Sequence, residues 1–144
     1  MFNSVDLRGW RTSEATAARW SVVGEKIVLK PGAAGAAAVP LTTTGEFGDA
    51  EFIVDFQPPK SSGGAPVASA ALGFHGATIR LAGAEAGKFS RFTVTVRGAT
   101  VRVQRDAQPA TELALTQGVG SRSALALIAT EGGGTFMNLH ARDL

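Results

Sequence analysis

The sequence predicts an all-β protein built as a two-sheet antiparallel sandwich. Apolar and polar residues alternate with a period of two along most of the chain, whereas the three-four spacing of an amphipathic helix is nearly absent. The alternating runs are short, and Gly and Pro separate them. Short strands at such regular spacing are typical of two packed sheets.

The length of the chain is that of one domain. Its 144 residues and 14.8 kDa are enough for one hydrophobic core, and they leave no room for a second. We therefore expect a single β-sandwich domain over residues 1–144.

The clearest strand covers residues 50–57. Successive side chains of a strand point to opposite faces, so this run has one apolar and one mainly polar face. The apolar face carries Ala50, Phe52, Val54 and Phe56, and the other carries Glu51, Ile53, Asp55 and Gln57. The first face is expected in the core, and the second is mostly polar.

A hairpin is predicted over residues 91–104, with its turn at Gly98 and Ala99. Both of its strands alternate in the same way as residues 50–57. The residues expected to be buried together are Phe52, Val54, Phe56, Phe92, Val94, Val96, Val101 and Val103.

Further strands are predicted at residues 20–23, 26–30, 68–75, 78–82, 123–129 and 135–142. Residues 58–66 are rich in Pro and Gly and are expected to form a loop, because proline lacks the ladder donor and glycine loses entropy in a strand. Residues 33–38 fit an edge strand or a surface turn, and residues 132–134 fit a tight turn. Trp10 and Trp20 lie in apolar contexts and are expected in the core.

Composition excludes several classes of function. The net charge is only +2 and the basic residues are scattered, so nucleic acid is not expected as a partner. No segment reaches the roughly 20 apolar residues of a membrane span. The protein is therefore expected to be soluble. The residues after Met1 lack the features of a signal peptide, which leaves two alternatives: a cytoplasmic protein, or an exported one from which a signal and flanking domains were trimmed.

No metal site and no cofactor are expected. The chain has no Cys and only two His, which excludes a three-histidine centre and zinc-thiolate sites. No Gly-x-Ser-x-Gly motif is present, and the glycine run at 132–134 lacks the Lys-Ser/Thr of a phosphate-binding loop.

Glu51 and Asp55 share a strand face and invite a glycosidase hypothesis. Four residues of strand separate them by about 13 Å, whereas paired glycosidase carboxyls lie roughly 5 to 9.5 Å apart. They are therefore not a catalytic pair by themselves, although a residue from a neighbouring strand would complete one.

The other candidate residues are polar side chains suited to sugar hydroxyls. Glu51, Asp55 and Gln57 form a polar row, and Arg80 is a further candidate ligand-binding residue. His75 and Glu131 join Glu51 and Asp55 as candidate catalytic residues. Solvated charge is the alternative for the carboxylates, and a structural or surface role is the alternative for His75.

Several segments, in order along the chain, resemble the 3-keto-disaccharide hydrolase domain family. They are residues 2–3, 7–10, 20–22, 41–43, 47–52, 92–98 and 135–139, followed by Asp143 and Leu144. The resemblance implies a jelly-roll sandwich of the concanavalin A-like kind. It also implies an ancestral activity, the hydrolysis of glycosides oxidised at sugar C3.

The chain departs from that family at positions suited to chemistry. Ile128 stands where the family has Gln, Thr130 and Glu131 where it has His-Gly, and Asp106 and Ala107 where it has Asn-Gly. Three functions stay open: a module that binds a glycan or a protein with little or no catalysis, an active 3-keto-glycoside hydrolase, and a structural module that contacts a neighbouring domain or protein.

Overall fold

The computed structural model describes residues 7–31, 39–60, 70–129 and 133–144. The predictions for residues 33–38, for most of the 58–66 loop and for Glu131 lie outside these ranges. The elements are β1 (Trp10–Arg11), α1 (Glu14–Arg19), β2 (Trp20–Val23), β3 (Lys26–Leu29), β4 (Leu41–Phe47), β5 (Ala50–Gln57), β6 (Ala70–Phe74), β7 (Ala77–Leu81), β8 (Ser90–Arg97), β9 (Thr100–Arg105), β10 (Thr111–Ala114), β11 (Ser123–Ala129) and β12 (Gly134–Asp143).

The described strands form two antiparallel sheets. The five-stranded sheet has the order β1-β4-β11-β6-β7, and the seven-stranded sheet has the order β10-β9-β8-β5-β12-β3-β2. This is the all-β, two-sheet jelly-roll sandwich that the sequence predicts. Strand β5 lies in the middle of the larger sheet, between β8 and β12. The outward side chains of β5 therefore have those of a neighbouring strand on each side.

The core lies between the sheets and contains the residues that alternation places there. All eight residues predicted to be buried together are buried, as are Trp10 and Trp20. Aromatic contacts connect the layers: the rings of Phe52 on β5 and Phe74 on β6 meet edge to face, with centroids 5.0 Å apart. The Trp20 indole N–H donates to the Val39 carbonyl at 2.6 Å, which pairs the polar atom of a buried ring.

Helix α1 and strands β4 and β10 are absent from the sequence predictions. The helix has six residues, too few to show a helical period, and it begins at a capping box in which Ser13 and Thr16 satisfy each other's backbone N–H groups. Every residue of β10 is exposed at the edge of its sheet. Since neither face of β10 is buried, its sequence has no alternation of apolar and polar residues. Strand β4 continues through Thr44, Gly45 and Glu46, which are exposed.

No helix among the described residues is long and apolar enough to cross a bilayer.

Candidate binding face

The predicted polar row lies on the outer face of the seven-stranded sheet. Glu51, Asp55 and Gln57 all project from β5 on the side that faces away from the core. Phe52 and Phe56 point from the other side of the strand into the core. Strand β8 pairs with one side of β5 and β12 with the other. We call this surface the outer face; it comprises the outward side chains of β5, β8 and β12.

Arg80 lies on the other sheet. It is exposed on β7, the edge strand of the five-stranded sheet, where it pairs with Ala71 of β6. Ile79 and Leu81 on either side of it point into the core, so Arg80 points outward from the opposite side of the sandwich. The structure therefore does not bring Arg80 together with Glu51 or Asp55.

His75 is buried in the turn between β6 and β7. Its backbone has φ +50°, its N–H donates to the Ser123 hydroxyl at 3.2 Å, and its ring packs on Phe74 with centroids 4.0 Å apart. Its Nδ1 is buried without a hydrogen bond. The imidazole thus belongs to the packing of this turn, and it lies on a different sheet from Asp55.

Asp55 is the best-connected polar side chain of the outer face. Arg91 lies directly opposite it on β8 and donates from Nε to Oδ1 at 2.8 Å and from Nη2 to Oδ2 at 3.0 Å. Asn138 on β12 donates from Nδ2 to Oδ2 at 2.7 Å. The parallel pair of bonds is the geometry in which a guanidinium holds a carboxylate most firmly.

A bulge in β12 brings Asn138 to Asp55. Met137 pairs with Asp55 and His140 pairs with Ile53, so two residues of β12 oppose the single residue Val54. Asn138 occupies the bulge with φ +50°, a left-handed conformation that Asn adopts more readily than most residues.

These contacts keep Asp55 ionised. Burial by itself raises the pKa of Asp55, but hydrogen bonds from Arg91 and Asn138, together with the positive charges of Arg91 and His140, lower it further than burial raises it. The net pKa lies below the ordinary value of 3.8. Asp55 is therefore a carboxylate at neutral pH whose two oxygens both accept hydrogen bonds, and it has no proton to give to a leaving group.

Glu51 belongs to a separate ion pair at the other end of β5. Arg142, opposite it on β12, donates from Nη2 to Oε1 at 2.9 Å. The Arg142 side chain is largely exposed, so this pair is held more loosely than the Asp55 cluster.

Gln57 anchors the connection between β7 and β8. Its amide donates to the Gly87 carbonyl at 2.8 Å, and the Gly87 N–H donates to the Pro58 carbonyl at 2.9 Å. The connection continues into Phe89, and the Lys26 ammonium of β3 lies 5.6 Å from the centroid of its ring. Gln57 therefore fixes the backbone of this connection two residues before an aromatic side chain.

An open groove of about 360 Å³ lies beside this ring. Asp55, Phe89, Arg91, Thr93 and Asp106 line it, and its volume falls within the roughly 300–1,000 Å³ of small-molecule sites. It combines one aromatic ring with hydrogen-bond donors and acceptors of both charges. Such a lining suits a polyhydroxylated ligand with an apolar ring face.

The described residues offer no comparable alternative to this groove. A cavity of about 20 Å³ near Trp10 and Leu139 has room for no more than a water-sized molecule. Among the described residues, no cluster of three or more His, Asp or Glu could hold a metal ion.

The comparisons with known proteins agree with this architecture. A candidate glycosyl hydrolase from Parabacteroides distasonis shares 11% identity over 99% of this chain and 92% of its own, with a TM-score of 0.76. A second candidate glycosyl hydrolase from that organism shares 11% identity over 94% of each chain, with a TM-score of 0.68. The carbohydrate-binding module CBM66 from Bacillus subtilis shares 12% identity over 96% of this chain and 98% of its own, with a TM-score of 0.55.

These likenesses show the fold. No family model matches the sequence, and no curated protein sequence matches it.

The residues that complete the groove are missing from the sequence candidates. Arg91 and Asn138 contact Asp55 only because strands far apart in the chain come into register, and Asp106 contacts Arg91 at the end of the β8–β9 hairpin. The period-two pattern of β8 does extend backwards through Arg91 to Phe89, which places both on the outer face. That alternation is the one sequence signal that points to them.

Proposed function

We propose that this protein binds a carbohydrate in the groove between Phe89 and Arg91, on the outer face of the seven-stranded sheet, without hydrolysing it. The observation that carries the proposal is the fixed geometry of the lining: Arg91 is held by Asp55 while its side chain stays 56% exposed. A donor that is already oriented loses little entropy when a ligand binds.

Phe89 supplies the apolar contact. A half-buried ring above a polar strand face can stack on the C–H face of a sugar, while Arg91, Thr93 and Asp106 reach the hydroxyls. Lys26 over the ring is exposed and can donate to the ligand from the β3 side. The similarity in fold to a carbohydrate-binding module and to candidate glycosyl hydrolases supports the same assignment.

The state of the carboxylates favours binding over catalysis. Hydrolysis by a carboxyl pair needs one group protonated as a general acid, and the lowered pKa of Asp55 opposes that role. Glu51 lies about 13 Å away along the same strand. We interpret the resemblance to 3-keto-disaccharide hydrolases as common ancestry.

The test is a glycan array followed by calorimetric titration of the sugar that binds. Phe89→Ala and Arg91→Gln should each weaken binding by at least about tenfold, the range reported for removal of an interface anchor. Arg80→Ala is the matched control, because it removes an exposed arginine from the opposite sheet, and it should bind like the wild type. Equal loss in Arg80→Ala, or no binding to any glycan, would contradict the proposal.

One observation favours a second candidate, hydrolysis of 3-keto-glycosides: Asp106 lines the same groove as Asp55 and provides a second carboxyl. The measurement is release of free sugar from a 3-keto-glycoside by the wild type, Asp55→Asn and Asp106→Asn. Turnover that either substitution abolishes would establish an enzyme and replace the binding-only proposal.

A further inference from the structure

Asp106 is fixed in the groove by two bonds to one residue. Its backbone N–H donates to the Arg91 carbonyl at 2.8 Å, and its Oδ1 accepts a hydrogen bond from the backbone N–H of Arg91 at 2.9 Å. Its φ of +49° is in the left-handed region, which Asp and Asn enter more easily than most residues. The carboxylate is therefore held at the groove wall although the residue is exposed.

The residues that line the groove carry more negative than positive charge. Its lining contains two carboxylates and one guanidinium. The Arg91 guanidinium neutralises the charge of Asp55 through two hydrogen bonds. Asp106 is the other carboxylate of the lining, and it forms no side-chain ion pair with Arg91. The neighbouring Lys88 is paired with Glu85 at 2.8 Å, and Lys26 lies against the Phe89 ring.

We propose that Asp106 makes the groove selective for uncharged sugars, which it contacts through adjacent hydroxyls, and that it excludes sugars carrying a carboxylate. This inference rests on the proposed function. A carboxylate accepts charge-assisted hydrogen bonds from hydroxyl groups, whereas a uronate placed beside it meets like charge at short range. Asp106 is thus a specificity-determining residue, and Arg91 beside it donates to the same sugar.

The experiment compares matched pairs of sugars on three proteins. The probes are the methyl glycosides of glucose, galactose and mannose with their uronates, together with any oligosaccharide that the array identifies and its uronate-capped form. The proteins are the wild type, Asp106→Asn and Asp49→Asn. Asp49 is the control because its Oδ1 also accepts a backbone N–H, from Gly98 at 2.9 Å, and its substitution removes the same charge elsewhere.

We expect the wild type and Asp49→Asn to bind the neutral sugar of each pair at least about tenfold more tightly than its uronate, because the uronate meets like charge at short range. Asp106→Asn keeps the side-chain acceptor and the tolerance of positive φ, so it should fold, and it should reduce the difference to about threefold or less. Added salt should improve uronate binding by the wild type, because it screens the repulsion.

Two results would overturn the inference: a wild type that prefers the uronate, or an Asp106→Asn protein that keeps the wild-type ratio. If the wild type binds no member of any pair and no glycan on the array, the proposed function itself fails. If it binds but Phe89→Ala does not weaken binding, the ligand lies elsewhere and both proposals fail.

Discussion

Arg91 and Asp55 face each other across β8 and β5 and share two parallel hydrogen bonds of 2.8 and 3.0 Å. The Asp55 side chain is 8% exposed, whereas that of Arg91 is 56% exposed. The carboxylate is therefore the fixed partner and the guanidinium the one that meets solvent. This arrangement suits a hydrogen-bond donor at the surface, Arg91, whose orientation is fixed by the buried carboxylate of Asp55.

Substitution of Asp55 should destabilise the fold more than substitution of Glu51. In Asp55→Asn an amide group faces the donors of Arg91 and Asn138. We expect the free energy of unfolding to fall by about 1–3 kcal/mol, which is less than the full cost of an unpaired buried charge because Arg91 can reach water. Glu51→Gln breaks a more exposed pair and should cost at most about 1 kcal/mol. Urea unfolding of both proteins measures the difference, and equal losses would contradict the assigned role of Asp55.

The contribution of Asp55 to stability should depend on pH. Its pKa is lowered in the folded protein from the ordinary value of 3.8, so the folded state favours the ionised form. The stabilisation is then present above about pH 4 and is lost as the pH falls through the folded-state pKa. The difference in unfolding free energy between wild type and Asp55→Asn should therefore narrow below pH 4. A difference that widens in acid would show that folding raises the pKa of Asp55 instead of lowering it.

Two substitutions at Asn138 should separate its side chain from its backbone conformation. Asn138→Gly keeps the left-handed bulge and removes the hydrogen bond to Asp55, so the pKa of Asp55 should rise towards its ordinary value in a carboxyl NMR titration. Asn138→Ala also strains the backbone, which costs roughly 1 kcal/mol more. If both variants are equally stable, the positive φ of Asn138 carries no cost.

Gly118 should be intolerant of a side chain because of its contact with His75. It has φ +71°, and an added Cβ would lie 2.8 Å from Cβ and Nδ1 of His75. Gly120 in the same loop has φ +79° with open space around it. Gly118→Ala should therefore destabilise the protein by about 1–3 kcal/mol more than Gly120→Ala, as measured by thermal unfolding. Equal effects would mean that the buried His75 turn does not depend on this packing.

The fold was predictable where one face of a strand is buried and the other is not. Strands β5, β8 and β9 alternate cleanly, and their inward residues are all in the core. Strand β10 is exposed along its length and α1 is a short turn of helix set by Ser13 and Thr16. Neither leaves a periodic pattern for the sequence to show.

The site was predictable only in part, because its bonds join distant parts of the chain. Alternation placed Asp55 on the outer face, but its partner Arg91 is 36 residues away and Asn138 is 83 residues away. The contact with Asn138 also requires a bulge, which shifts the register of β12. Arg80 is an exposed arginine like Arg91, and only the sheet order shows that it lies on the other layer.

The most direct test of the proposed binding face is a titration of the isotope-labelled protein with the best-binding sugar, followed by backbone amide NMR. We expect saturable shift changes at residues 89–93, at Asp55 and at Asp106, with residues 77–81 of β7 unchanged. Shifts confined to the five-stranded sheet around Arg80, or no shifts with a sugar that binds, would contradict the proposal.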